Sequence, residues 1–327
     1  MKRRTVLRLA AATLALPGWA RSQARKVYRL GWLSTADEES KKRSLEEAFL
    51  PGMRALGYAV GGNLVVDVRY ARGDVSRYPA LSDELIALRP DVLLGNGDAC
   101  RAMAKKTSRI PIVLTGSLDP VAQGLVKSLA RPGTNVTGVS SQIGTLIAKQ
   151  IELLVEIVPK LSRIALLNDA SFADRNLYVR VARETARAKG LTLSVIETAP
   201  TPEAIGTAFA KIEQERAQGV VVGGTGPFFG ARRALAGESA RLRVPAIYNI
   251  AGFVEIGGLI SYGANIGESL RTEVPPIVDR ILKGANPAEM PVQQSAKFEM
   301  AINLKTAKEI GVTIPQTVLF RADRVIE

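Results

Sequence analysis

Histidine is absent from the 327 residues, and cysteine occurs once, as Cys100. Without histidine, neither a Ser-His-Asp nor a Cys-His nucleophile can be assembled, and the usual Cys/His zinc site is excluded with them. A lone cysteine forms no intramolecular disulfide. Cys100 lies between Ala99 and Ala102 in a predicted helix and reads as a small packing residue. No Gly-Lys-Ser/Thr phosphate loop occurs, and no run after the N-terminal segment is long and apolar enough to span a bilayer. The formal charge is +13, and beyond the N-terminal segment the Lys and Arg are scattered, with no basic run and no aromatic-rich RNA motif. That distribution argues against nucleic acid as a partner. Glu46-Glu47 and Glu213/Glu215 sit among charged neighbours on helical stretches and read as solvated faces, so no carboxylate pair is set for acid–base work. No metal site, cofactor or enzymatic activity is expected.

What is present starts with Met1-Lys-Arg-Arg-Thr-Val-Leu-Arg8, an apolar stretch from Leu9 to Trp19, and small residues at Ala20-Arg-Ser-Gln-Ala24. This is the pattern of an export signal over residues 1–24, with Arg3-Arg4 similar to a twin-arginine signal in which Lys2 replaces the usual hydroxyl residue. No cysteine near the cleavage region offers a lipid anchor. Lys2, Arg3, Arg4, Arg8 and Arg21 carry five of the charges, leaving +8 from Arg25 onward. The expected location is the periplasm.

From Val27 on, short apolar runs alternate with stretches of helical spacing. The stretch Arg109-Ile-Pro-Ile-Val-Leu-Thr-Gly-Ser-Leu-Asp-Pro120 is an apolar run too short for a helix that stops at small polar residues, the signature of a buried strand. It is echoed 134 residues later by Val244-Pro-Ala-Ile-Tyr248, with Pro111 and Pro245 in matching places. Helices are expected over 38–55, with Pro51 breaking the first late in its course, and over 78–88, 99–107, 120–129, 143–158, 173–188 and 202–217. Near 266–282, Pro275-Pro276 either kink a helix or begin its regular part. Five βα units followed by five more predict an α/β protein of two doubly wound lobes with mainly parallel sheets.

Open parallel sheets bind ligands outside the carboxyl ends of their strands. In the first half those ends offer Ser34, Thr35, Asn96, Gly97, Asp98, Thr115, Gly116 and Ser140. The second half offers Asn168, Thr225, Phe228, Tyr248, Asn249 and Tyr262. Hydroxyls, amides and glycines with aromatics on one side suit a small polar molecule with a flat or apolar part. Each member has a plainer reading, since Ser, Thr, Asn and Asp after a strand often cap the next helix and tyrosines often belong to the core. Asp98, Asp119 and Asp169 either hold a ligand ammonium or cap. Gly224-Thr-Gly-Pro-Phe-Phe-Gly230 follows a third strand and lacks the acidic partner of a dinucleotide loop.

Tyr28-Arg-Leu-Gly-Trp-Leu-Ser34, Tyr70-Ala-Arg-Gly-Asp74, Ile110-Pro-Ile-Val113 and Arg131-Pro-Gly-Thr-Asn-Val-Thr-Gly-Val-Ser140 occur in this order. Gly257-Gly-Leu-Ile-Ser-Tyr-Gly263, Arg280-Ile-Leu-Lys-Gly284, Phe298 and Asn303-Leu-Lys-Thr-Ala307 follow. With these motifs, the chain resembles the ABC-transporter substrate-binding proteins of the tryptophan/tyrosine-binding (TrpX-like) group, which have the type I periplasmic binding protein fold. The resemblance implies a monomeric two-lobed receptor that closes on a small solute (an amino acid, a nucleoside or purine, or a small organic acid) and docks on an ABC permease. A ligand sensor for a signalling partner is the alternative, and a carboxylate enzyme using Asp98 and Asp169 a distant third. Three hinge crossings are implied near Ser141, Ala264 and Val292. They divide the chain into one lobe of residues 25–141 and 265–292 and another of 142–264 and 293–327. The family's hydroxyl after the first strand maps to Ser34, its Thr-Gly-Val-Ser turn to Thr137–Ser140, and its Pro-Phe-Phe to Pro227–Phe229. Two departures stand out. Leu118 occupies a position where relatives often carry Gly, and Thr225-Gly226 stands where many carry Asp. The second removes a carboxylate partner for an amino group and weighs against an amino-acid ligand.

Overall fold

The computed structural model describes residues 26–35, 42–117, 119–140, 143–170, 172, 175–295 and 298–327. The expected export signal, Leu118 and Ser141 lie outside them. The first lobe opens with β1 (Tyr28–Ser34), a π-helical stretch Lys42–Phe49, α1 (Leu50–Ala55), β2 (Leu64–Tyr70), α2 (Tyr78–Ala87), β3 (Val92–Asn96), α3 (Gly97–Ala104), β4 (Ile112–Gly116) and β5 (Val136–Ser140). The second follows with α4 (Ile143–Ile157), β6 (Arg163–Asp169), α5 (Arg175–Ala188), β7 (Thr192–Thr198), α6 (Pro202–Gln214), β8 (Gly219–Val222), α7 (Gly226–Gly230), α8 (Arg232–Arg241), β9 (Ala246–Tyr248), α9 (Ala251–Val254) and β10 (Ile260–Ala264). The chain returns through α10 (Ile266–Thr272), α11 (Val274–Leu282) and β11 (Gln293–Gln294). It ends in β12 (Phe298–Asn303), α12 (Leu304–Ile310), α13 (Gln316–Leu319) and β13 (Arg324–Ile326).

The two sheets repeat one strand order. The first runs β11-β5-β4-β3-β1-β2 and the second β13-β12-β10-β9-β8-β6-β7. All pairings are parallel except β10 with β12. The proline echo recurs atom for atom, because Leu93 N donates to the Pro111 carbonyl and Val220 N to the Pro245 carbonyl, each at 2.8 Å. Both prolines precede the fourth strand of their lobe. There the missing N–H costs nothing and the carbonyl still joins the sheet.

Alternate residues of each strand face opposite cores. Leu30, Trp32, Val92, Leu94 and Val113 pack with Leu45, Phe49, Met53 and the α11 residues Val274, Ile277, Val278 and Ile281. Leu33, Leu93, Ile112 and Leu114 face the other way, toward α2 and α3. In the second lobe Ile164, Leu166 and Val221 meet α4, α5 and α12, while Ala165, Leu167, Val220 and Val222 meet α6 and α8. Each such leucine or valine contributes about 1.5–3 kcal/mol by burial.

The chain crosses between lobes three times: after β5, between β10 and α10, and between β11 and β12. The last crossing lies later than the expected boundary after Val292. Gln293 and Gln294 pair with Val139 and Ser140 and keep the chain in the first sheet. Other expectations also shift. Residues 120–129 form successive turns in place of a helix, with Gly124, between Pro120 and Pro132 in the chain, left-handed at φ 67°. Pro51 sits at the start of α1, where its missing N–H is tolerated. The carbonyl of Glu47, four residues earlier, accepts from Nη2 of Arg271 at 3.0 Å. One expectation holds: Pro275-Pro276 open the regular part of their helix, since α11 starts at Val274 after a break at Glu273. Cys100 is fully buried, its Sγ 3.2 Å from the Gly95 carbonyl, and burial pushes its thiol pKa up.

Candidate functional site

The carboxyl ends of both sheets face one another across a cleft of about 390 Å³. The first lobe lines it with Trp32, Ser34, Thr35, Asn96, Gly97, Asp98, Thr115, Gly116 and Ser117, the second with Phe172, Gly224, Thr225, Gly226, Phe229 and Asn249. Gln123, Ile250, Ile266 and Leu270 complete the floor.

A polar network fixes the first-lobe wall. Asn96 caps α3, its Oδ1 accepting from Ala99 N at 3.0 Å, and this leaves Nδ2 to donate to Oγ1 of Thr35 at 2.6 Å. Tyr78 donates to the same Oγ1 at 3.0 Å. With two donors on its lone pairs, the Thr35 hydroxyl is left to donate its own proton. Burial pushes the Tyr78 phenol up to about 12, which keeps it a neutral donor. Ser117 donates to Oε1 of Gln123 at 2.8 Å. The Asp98 carboxylate, 16% exposed, is held by Arg101 at 2.7 Å.

The second-lobe wall is tied to its own core. Thr225 donates to Asp169 at 2.6 Å and accepts from Phe228 N at 3.2 Å, so it caps α7 and satisfies a fully buried carboxylate at once. The Tyr178 hydroxyl sits 3.1 Å from both N and O of Gly224. Phe229 projects into the cleft, edge-on to Phe253, with the Arg232 guanidinium 4.7 Å above its ring. At the rim, Arg43 of the first lobe pairs with Glu255 of the second at 2.5 Å. Arg324 pairs with Glu255 at 2.9 Å and with Glu299 at 3.7 Å. Burial pushes the Glu255 carboxyl up, but Arg324 and Arg43 together outweigh it and hold it below the usual range.

Nine of the fourteen residues expected from sequence line the cleft: Ser34, Thr35, Asn96, Gly97, Asp98, Thr115, Gly116, Thr225 and Asn249. Five do not. Phe228 is 0% exposed and points into the core, because the α7 turn sends the neighbouring Phe229 to the cleft. Tyr248, also 0% exposed, stacks on Phe253 at 4.4 Å with its hydroxyl on Ser239. Tyr262 stacks on Phe298 at 5.9 Å. Asn168 turns inward and donates to the Arg175 carbonyl at 3.3 Å. Ser140 is buried at the end of β5. Of the three aspartates, Asp119 caps its turn, accepting from Val121 N and Ala122 N. Sequence reasoning passed over Trp32, although it lies two residues before Ser34 and so on the same strand face. It also passed over the rim charges Arg43, Glu255 and Arg324, which carry no local signal of what they face.

Hydroxyls and amides on one wall and aromatic rings along the cleft can hold a small molecule with a polar end and a flat apolar part. Among the described residues no group of His, Cys, Asp and Glu could hold a metal ion, and no helix is long and apolar enough to cross a membrane. A family model described as ABC transporter substrate binding protein matches residues 39–326. The chain belongs to that family. It is the solute-binding component of an ABC transporter, not an enzyme, so the carboxylate reading of Asp98 and Asp169 falls away. A tyrosine-binding protein of Clostridioides difficile (strain R20291) is 23% identical over 297 residues, 89% of this chain and 83% of that protein. The ABC domain in complex with L-Trp from Streptococcus pneumonia superposes with a TM-score of 0.83 at 26% identity, covering 92% of this chain and all of that one. A conserved domain protein from Vibrio cholerae gives the same figures.

Proposed function

We propose that this chain is the periplasmic receptor of an ABC importer and closes its lobes on a small molecule that combines an aromatic or apolar body with a polar head. L-tryptophan and L-tyrosine are the first candidates. The observation that carries this reading is the gathering of Ser34, Thr35, Asn96 and Thr115 with the rings of Trp32, Phe172 and Phe229 in one interlobe cleft. The names of two relatives, which bind tyrosine and L-Trp, support the aromatic class. An amino-acid ligand loses a counter-charge at Gly226 but finds the Asp98 carboxylate on the opposite wall. Three passages of the chain between the two sheets suit hinge closure, in which solute contacts from both lobes stabilise the closed state.

The test is a thermal-shift and calorimetric screen of L-tryptophan, L-tyrosine, adenosine and benzoate. A ligand at 100 times its dissociation constant adds about 2.7 kcal/mol to stability. Ser34→Ala and Asn96→Asp, the latter keeping the α3 cap while removing the amide donor to Thr35, should weaken binding and leave melting unchanged. If none of the four compounds moves the melting temperature, the aromatic-solute reading fails. Unchanged affinity in both variants would instead move the site elsewhere.

A further inference from the structure

The short helix α7, Gly226-Pro-Phe-Phe-Gly230, begins and ends on glycine, and both glycines touch the other lobe. A methyl group on Gly226 would come within 2.5 Å of Cγ2 of Thr35 and 3.1 Å of both Thr35 Oγ1 and Asn96 Nδ2. At Gly230 it would lie 3.2 Å from the Cα of Gly73. Neither α7 glycine has a positive φ, so each would accept a side chain within its own backbone. The nearest atoms that a side chain would meet at either position belong to the opposite lobe.

The partners of the two glycines form a single unit. Gly73 N donates to the Thr35 carbonyl at 2.7 Å, and Gly73 itself is left-handed at φ 79°. Its turn and the end of β1 therefore present one rigid surface. On the other side Thr225 ties the start of α7 to buried Asp169. A rigid helix meets a rigid turn at both ends, and Phe229, between the two contacts, faces the cleft. Packed surfaces of this kind do not yield by small amounts, because an added methyl group displaces everything behind it.

We propose that Gly226 and Gly230 are positioning residues for solute capture. Their missing side chains set how closely the lobes approach, and thereby how far Phe229 is carried toward the solute bound on the first-lobe wall. The inference rests on the reading that the lobes close, not on which solute they close upon.

The test reads closure directly. Arg72 and Arg233 are exposed and line one groove from opposite lobes beside this contact. In an Arg72→Cys/Arg233→Cys background, the rate of cross-linking by a short bis-maleimide reports the closed population, while the native Cys100 is buried and silent. Gly226→Ala should slow cross-linking without added solute about tenfold, the effect of overpacking a tight contact by one methyl group. Adding Thr35→Ser, which deletes Cγ2 on the opposite lobe and keeps the hydroxyl, should return the rate to within about twofold of a Thr35→Ser control. Gly230→Ala, the looser contact, should slow it less and should not respond to Thr35→Ser. Melting temperatures of all variants should match the parent. A role of Gly226 confined to its own lobe predicts no rescue from across the cleft, so absence of rescue overturns the proposal. So does a Gly226→Ala rate equal to the parent's. Should Gly226→Ala fail to fold, Gly230→Ala decides by the same readout. L-tryptophan should speed cross-linking of the parent; if it does not, the aromatic-solute reading fails while the rates without solute still judge the glycines.

Discussion

The lobes meet in two kinds of contact. At α7, a methyl group on Gly226 would collide with Thr35, and one on Gly230 would press on Gly73. At the rim, Arg43, 67% exposed, reaches across to Glu255. The first contact is short-ranged and all-or-none. The second acts at longer range, is screened by salt, and contributes at most about 1 kcal/mol. A steric stop and a soft ionic tether therefore divide the work: the glycines fix where closure ends, and the ion pair biases how readily it begins.

The largest way to break this division is Gly226→Val. Its branched side chain cannot rotate clear of Thr35 and should reduce L-tryptophan affinity about a hundredfold, equivalent to about 2.7 kcal/mol. The melting temperature without ligand should stay near the parent's, and a large drop would show that Gly226 serves its own lobe. Next comes Gly73→Ala, strained at φ 79° wherever the lobes stand, which should lower stability by about 1 kcal/mol by chemical denaturation. Smaller again is Arg43→Ala. It should weaken binding by less than about fivefold in dilute buffer and not at all in concentrated salt, measured by calorimetry at both.

The smallest effect is on pH dependence. Glu255 has its pKa depressed by Arg324 and Arg43, so its stabilising pairing is present above the ordinary glutamate range and is lost as pH falls through the depressed value. Closure should weaken on acidification in that window, and Glu255→Gln should flatten the profile. An identical acid limb in the variant would assign it to another group.

Much of the fold was legible because parallel βα units write themselves as apolar runs ending in small polar residues, and the Pro111–Pro245 echo marked the repeat. The missed pieces share a cause. Residues 120–129 have helical spacing, but Gly124 and the flanking prolines turn the chain before a second helical turn can form. Strand β13 pairs only by lying beside β12, a neighbour that its own three residues do not announce. Within the cleft, the first-lobe residues were readable since each ends a strand. Between Phe228 and Phe229 the choice depends on the angular setting of a five-residue helix, to which composition is blind. The α7 glycines were equally opaque: a bare backbone reads as a turn unless the surface facing it is known.

The three crossings also bear on how the molecule is made. All five strands from β1 to β5 exist once residue 140 has been synthesised. Yet Leu270, Val274, Ile277 and Val278, which cover one face of that sheet, come from a stretch more than a hundred residues later. The second sheet likewise waits for β12 and β13. Neither half can seal its core before the final sixth of the chain emerges, so both are completed together and late. A nascent chain of this topology keeps apolar sheet surface open during most of its synthesis, an interval in which a chaperone or an export factor can hold it unfolded.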